Sequence, residues 1–244
     1  MLQKTITNPT PISWGLPLEN SINGGAIRCK KTARELMKEY APPEYVDGPF
    51  ESMPVIVRPK KHQGGSEFHV FFFDNHLTEF FLNRRQEDYY MSYYIYKDQE
   101  FRVHMGHGLC LGIQEKTPQE NYNWNRTDEN PFRTVLRDEI VANGAFYKQL
   151  INLARIAMDK LNAHFGGVDI IVKDGQFYFI ELNTAPVLTP GTVIFTKYEK
   201  YLNKVALDSE YKEPANPDNV KHLLWTDAKF NTFGTDSITT VTGE

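Results

Sequence analysis

The alternation of apolar and polar positions divides this chain into short β segments and a few helical stretches. Val168–Val172 and Phe177–Leu182 are β-branched, aromatic and aliphatic runs on either side of Lys173-Asp174-Gly175, the pattern of a β-hairpin. Loop length decides which side chains share a face. A two-residue Asp-Gly turn would leave Glu181 and Asn183 on the side opposite Asp169. A three-residue loop ending at Gly175 sets Val172 against Gln176 and brings Asp169, Glu181 and Asn183 to one face. The second register is expected, because the first buries acids without partners.

Glu100–Lys116 reads as another hairpin. With Gly106-His107-Gly108 as the loop, Met105 opposes Leu109, and Phe101, Val103, Met105, Leu109, Leu111 and Ile113 form an apolar face. The other face carries Glu100, Arg102, His104, Cys110, Gly112, Gln114 and Lys116, so Arg102 and Lys116 share a polar surface. Helical spacing of apolar residues marks Ala26–Tyr40, which Ala41-Pro42-Pro43 stops, and Ala145–His164, the longest helix. Strands are expected at Val55–Arg58, Phe68–Phe73 and Tyr89–Ile95, a short helix at Thr78–Glu87, and a helix or turn at Ile194–Leu202. Met1–Gly25 reads as an irregular arm, Thr117–Asn130 as an irregular polar segment, and Ser237–Glu244 as disordered.

With 244 residues, 41% of them apolar, the chain can bury one large core or two small lobes. A net charge of −4 makes no global case for nucleic acid or membrane surfaces. Cys29 and Cys110 make neither a disulfide framework nor a metal spacing, and no apolar run reaches membrane-spanning length, so a cytoplasmic protein is expected. Asp169, Glu181 and Asn183 on one rigid hairpin are hard oxygen donors suited to Mg²⁺ carrying nucleotide phosphates; an ordinary solvent-facing acidic edge would show the same spacing. Of the histidines, His62 and His104 stand beside candidate site residues, while His69 and His76 read as packing or surface positions.

G-G-V-D…E-L-N-T-A-P over Gly166–Pro186, preceded by a long helix, resembles the closing metal motif of the ATP-grasp superfamily. Glu100-Phe101-Arg102-Val103-His104 resembles the arginine-bearing strand of its carboxylate–amine ligases, including bacteriophage members. The resemblance runs from about Ile27 to Leu202. It implies an α+β fold in which two lobes with mainly antiparallel sheets sandwich ATP. Residues 1–25 would be the remnant of a preceding domain, 26–95 the small lid lobe, 96–206 the catalytic lobe and 207–244 a tail. Asp169, Glu181 and Asn183 would hold one or two Mg²⁺, for which Mn²⁺ can substitute. Lys30 or Lys31, Arg58 (where many members have lysine) and Lys60 would meet the nucleotide. Gly64, Gly65 and Ser66, with His62, would form the lid loop, and Tyr93, Tyr94 and Ile95 the hinge against adenine. Arg102 and Lys116 would neutralise the transferring phosphoryl group.

The implied activity is ATP-dependent carboxylate–amine ligation through an acyl phosphate, releasing ADP and phosphate. Its partners would be ATP, a carboxylate and an amine acceptor that ranges from small molecule to macromolecule, without a membrane. The short N-terminal arm leaves room for a homodimer to supply the missing wall, and a phage-encoded member would work in the host cytoplasm. A non-catalytic nucleotide- or partner-binding module, or a kinase that stops at phosphoryl transfer, are the competing readings.

Overall fold

The computed structural model describes residues 26–27, 29–46, 54–60, 69–106, 108–117, 132–184, 186, 188, 191–198 and 201. The expected N-terminal arm, the lid loop with His62, Gly64, Gly65 and Ser66, most of the polar segment after Thr117, and the C-terminal tail lie outside these residues.

The elements are α1 (Lys30–Leu36), β1 (Val55–Pro59), β2 (His69–Phe71), α2 (Asp74–Phe81), β3 (Tyr89–Tyr93), β4 (Gln99–Gly106), β5 (Leu109–Lys116), β6 (Phe132–Thr134), α3 (Arg137–Ala142), α4 (Gly144–Lys160), β7 (Phe165–Lys173) and β8 (Gln176–Asn183). Residues 193–198 form a further short helix. Two antiparallel sheets result: β2-β1-β3 and β6-β5-β4-β7-β8.

Side chains of β4 and β7 alternate between two faces of the larger sheet that are covered differently. Phe101, Val103, Met105, Val168, Ile170, Val172 and Phe179 pack against the apolar stripe of α4, including Leu150, Ile151, Ala154, Ala157 and Met158. Burial of such aliphatic side chains stabilises by roughly 1.5–3 kcal/mol each, which explains why this face is continuous. The reverse face is polar in its middle. At one end it is closed by Leu111, Phe165, Ile194, Tyr198 and Tyr201. Ala33 of α1 and Met37 just after it enter the main core, and the Phe179 N–H of β8 donates to the Tyr40 carbonyl at 2.7 Å. In the smaller sheet Val55, Val57, Met91 and Tyr93 turn towards Leu77 and Phe80 of α2, leaving Ile56, Arg58, Tyr90 and Ser92 on the other side.

Both hairpin registers differ from expectation. At β7–β8, Lys173 pairs with Gln176 across a two-residue turn in which Asp174 (φ 49°) and Gly175 (φ 75°) are both left-handed. Asp-Gly suits this turn because its twist matches that of the flanking strands. The shift then comes from a bulge: Ile170 pairs with Phe179 but Asp169 with Glu181, so Ile180 is the extra residue. That one-residue slip restores the shared face which the three-residue loop was expected to create. The β4–β5 hairpin repeats the device. Gly106 pairs with Leu109 and Met105 with Cys110, then His104 with Gly112, so Leu111 is extra. Cys110 consequently lies in the main core and Leu111 in the second cluster, the reverse of the expected assignment.

Candidate active site

The polar face of the larger sheet is assembled by register. Arg102 of β4 is directly opposite Asp169 of β7, which is opposite Glu181 of β8; one step further Gly167 is opposite Asn183. Arg102 grips Asp169 at two points, Nε to Oδ1 at 2.6 Å and Nη2 to Oδ2 at 2.8 Å. Asn183 Nδ2 donates to Asp169 Oδ2 and Glu181 Oε1, each at 3.2 Å. From α1, Lys30 Nζ reaches Glu181 Oε2 at 2.7 Å. The two acids are therefore each held by a cation from a different element, with the amide between them.

Arg102 reaches Asp169 across the backbone of Gly167. A Cβ there would stand 3.1 Å from Arg102 Cδ and 3.4 Å from Pro186 Cβ, so glycine keeps that path open. Beneath the guanidinium the Phe132 ring lies 4.8 Å away, and Lys116 Nζ is 6.0 Å from the same ring. Lys116 contacts Glu100 at 3.2 and 3.3 Å, and Lys97 contacts the same carboxylate at 2.5 Å. Behind them buried His104 places Nε2 2.7 Å from Gln114 Oε1 and Nδ1 3.2 Å from Tyr198 Oη, while Tyr198 donates to the Gly166 carbonyl at 2.8 Å.

The electrostatics follow the pairing. Burial opposes the charge on Arg102, but Asp169 more than offsets it and holds the guanidinium above its ordinary value. Burial pushes Asp169 upward, and Arg102 cancels only part of that. Burial likewise opposes ionised Glu181, yet Lys30, Arg58 and the Asn183 bond together hold it below the usual carboxylate range. Glu100 is also held low, burial being outweighed by Lys97 and Lys116. Burial takes His104 down to about 3, so the ring is neutral.

The structure thus brings together Lys30, Arg102, Asp169, Glu181 and Asn183, with Lys116 two residues further along the same face. Arg58, on the open face of β1, is close enough to act on Glu181 and Lys97. Lys31 turns away and pairs with Glu35 at 3.4 Å, leaving Lys30 as the lysine at the acids. Lys60, just after β1, bonds to the Glu87 carbonyl. Tyr93 ends β3 with its ring against Tyr45, whereas buried Tyr94 and half-buried Ile95 lie in the segment joining the two sheets. Sequence reasoning missed Glu100 with Lys97, and Phe132. The i, i+2 alternation from Arg102 back to Glu100 was the available signal for the first; the Phe132 ring meets Arg102 through a contact distant in sequence.

Among the described residues no three His, Cys, Asp or Glu side chains converge. A cation here would draw on two carboxylates and a carboxamide, an all-oxygen set that fits Mg²⁺ once the Asn183 oxygen is turned inward. No helix of the described residues is long and apolar enough to cross a membrane.

A scan of the sequence against protein-family profiles finds no match, and no curated protein matches it. Solved structures do. The chain is similar to D-alanine–D-alanine ligase from Bacillus anthracis complexed with ATP, with a TM-score of 0.57 and 16% identity over 77% of this chain and 67% of that one. It is also similar to a biotin carboxylase–β-γ-ATP complex from Campylobacter jejuni, with a TM-score of 0.54 and 18% identity over 79% of this chain and 48% of that one. At such identities the likeness is one of architecture. The chain has the ATP-grasp fold, an α+β arrangement of two antiparallel sheets.

Proposed function

We propose that the protein binds ATP between its two sheets and joins a carboxylate to an amine. The observation that carries this reading is the convergence of Asp169, Glu181 and Asn183 on one face, each acid ion-paired to a cation of a different element. The nucleotide-bound state of the two structural neighbours supports it. Asp169, Glu181 and Asn183 would hold one or two Mg²⁺, which when bound would neutralise and orient the β- and γ-phosphates.

The side chains divide the remaining work. Lys30 and Arg58 would meet phosphate oxygens, and Arg58 presents a planar fork in place of a point charge. Tyr94 and Ile95, with Tyr93, would border the adenine. Lys60 and the segment containing His62, Gly64, Gly65 and Ser66 would cover the phosphates. Arg102 and Lys116 would offset charge on the transferring phosphoryl group. In this scheme a carboxylate oxygen of the substrate attacks the γ-phosphorus and the bond to ADP breaks, giving an acyl phosphate. An uncharged amine then attacks the carbonyl carbon, the new C–N bond forms, phosphate leaves, and the nitrogen loses a proton. Residues 26–95 would act as the lid lobe and 96–206 as the catalytic lobe. A cytoplasmic setting and a homodimer belong to the same proposal.

Removing one preorganised charged group typically costs 10²–10³ in kcat. Glu181→Gln and Arg102→Ala are expected to lose at least that much of a magnesium-dependent ADP release measured with carboxylate and amine substrates present. Full activity in Glu181→Gln would overturn the assignment, and ADP release with a phosphorylated product but no amide would favour a kinase.

A further inference from the structure

Helix α1 uses its faces differently. Lys30 points to Glu181, and Ala33 and Met37 enter the core. The remaining side, with Lys31 and Arg34, borders with Lys38 of the following turn a cleft of about 290 Å³ between α1 and β3. Tyr90, Ala41, Pro42 and Met91 also line it, and Glu44 and Glu35 add two carboxylates. The volume lies at the small end for ligand sites. That is room for an amino acid or dipeptide.

Arg34 is the unusual member. It is half-buried, its Nη2 donates to the Pro42 carbonyl at 2.9 Å, and its guanidinium carbon lies 5.5 Å from the centre of the Tyr90 ring. Lys30, Lys97, Arg102 and Lys116 each touch a carboxylate, but among the described residues no carboxylate is in ion-pair contact with Arg34. Burial takes Arg34 down to about 10, with Tyr90 and Glu44 opposing and Arg58 assisting. A guanidinium has five N–H donors in a fixed fork that matches a carboxylate. A desolvated cation with donors to spare, facing a cleft, is an anion site by its chemistry.

The charges of the lining narrow the ligand further. Lys31 and Glu35 satisfy each other at 3.4 Å. Arg34 and Lys38 then stand against Glu44, which acts on Arg34 without pairing to it. A phosphate-rich polyanion would be repelled by Glu44, whereas a ligand with one carboxylate and one ammonium complements both signs. We propose that the α1–β3 cleft is a second binding site for a small zwitterion, an amino acid or dipeptide, with its carboxylate on Arg34, its ammonium towards Glu44 and its apolar part over Tyr90 and Pro42. The cleft is separate from the polar face where the ligation proposed above would occur, and zwitterion binding there does not rest on that reading.

The test is isothermal titration of the full-length protein, without nucleotide, with the twenty common amino acids and their glycyl dipeptides. Acetate, methylamine and inorganic phosphate serve as comparators. At least one zwitterion is expected to bind with a sub-millimolar Kd, at least tenfold tighter than acetate or methylamine. Arg34→Met should weaken it at least tenfold and Glu44→Gln severalfold, with unchanged circular dichroism. Absence of zwitterion binding, phosphate binding as tightly as the best zwitterion, or unchanged affinity in folded Arg34→Met overturns the proposal. Should Arg34→Met not fold, exposed Glu44→Gln decides in the same way. Mg²⁺–ADP binding is measured in parallel: its absence beside zwitterion binding counts against the ligase, and its presence without zwitterion binding counts against the cleft alone.

Discussion

The Arg102–Asp169 pair permits a quantitative test. Their side chains are 13% and 9% exposed, and both oxygens of Asp169 are engaged by the guanidinium. Breaking such a pair from one side costs about 3–5 kcal/mol, because it leaves a buried charge uncompensated. For Asp169→Asn the lower end applies, since Glu181 also acts favourably on Arg102. In a chain of this length about 3 kcal/mol corresponds to a fall in Tm of roughly 6–12 °C. Arg102→Met strands the acid instead. Burial already pushes Asp169 upward, so without Arg102 it takes up a proton, and this variant recovers stability as pH falls. The sign is that of a group whose folded pKa is raised: its destabilising effect develops as pH rises through that value. The double variant removes both charges and is expected to lose clearly less than the sum of the single losses, since neither charge is left buried without its partner. Urea unfolding of all four proteins at pH 7 closes the cycle. Single variants within about 0.5 kcal/mol of wild type, well inside the expected loss, or a double variant showing the sum of the single losses, would refute the reasoning.

Other consequences are more local. Lys30→Met frees Glu181 from the cation that lowers its pKa most. Because a depressed carboxyl stabilises only above its unfolded pKa, the wild type loses this contribution as pH falls through the folded value, and the acid-unfolding midpoint of Lys30→Met should move upward in a circular-dichroism pH titration. Gly112→Ala places a Cβ 2.7 Å from Ile194 Cγ1 and should cost about 1–3 kcal/mol by overpacking, read in a urea melt. Gly167→Ala crowds Arg102 Cδ at 3.1 Å, so ADP release should fall severalfold while the melting temperature changes little. Gly175→Ala, at φ 75°, should cost about 1 kcal/mol or more with no loss of nucleotide binding, because the turn is remote from the acids.

How much of this was legible before folding depended on sequence distance. The strands of both hairpins stand out because β-branched and aromatic residues flank turn residues. Their registers do not, since alternation cannot reveal that Ile180 and Leu111 are bulged. The face shared by Asp169, Glu181 and Asn183 was expected for the wrong local reason and reached through another. Helix α1 is shorter than its apolar spacing suggested, and periodicity could not say which of Lys30, Lys31 and Arg34 faces which neighbour. Strand β6 and helix α3 are too short for a periodic signal. The one local clue was Glu139, which accepts the Leu136 N–H at 3.0 Å at the start of α3. Arg102 and Asp169 are 67 residues apart and meet only because β4 and β7 are neighbours in the sheet.

The charge balance of the polar face gives these pairings a common purpose. Lys30, Lys97, Arg102 and Lys116 contact Glu100, Asp169 and Glu181, and Arg58 acts on the same group. Five cations against three acids leave two positive charges, the complement of a magnesium–nucleoside triphosphate dianion. In the proposed reading, binding would exchange partners: Asp169 and Glu181 would hold the metal in place of guanidinium and ammonium, and Arg102 and Lys30 would be released to phosphate oxygens. Both acids are paired in this structure, and neither set of buried charges would be stranded by such an exchange, which would avoid the desolvation penalty of an unpaired acidic site. Without the metal the nucleotide would bring twice the charge, and the acids would have to be left unpaired for the cations to reach it. Chelation of Mg²⁺ should therefore weaken ATP binding at least tenfold, and the loss should shrink in Asp169→Asn, where one acid no longer needs a partner.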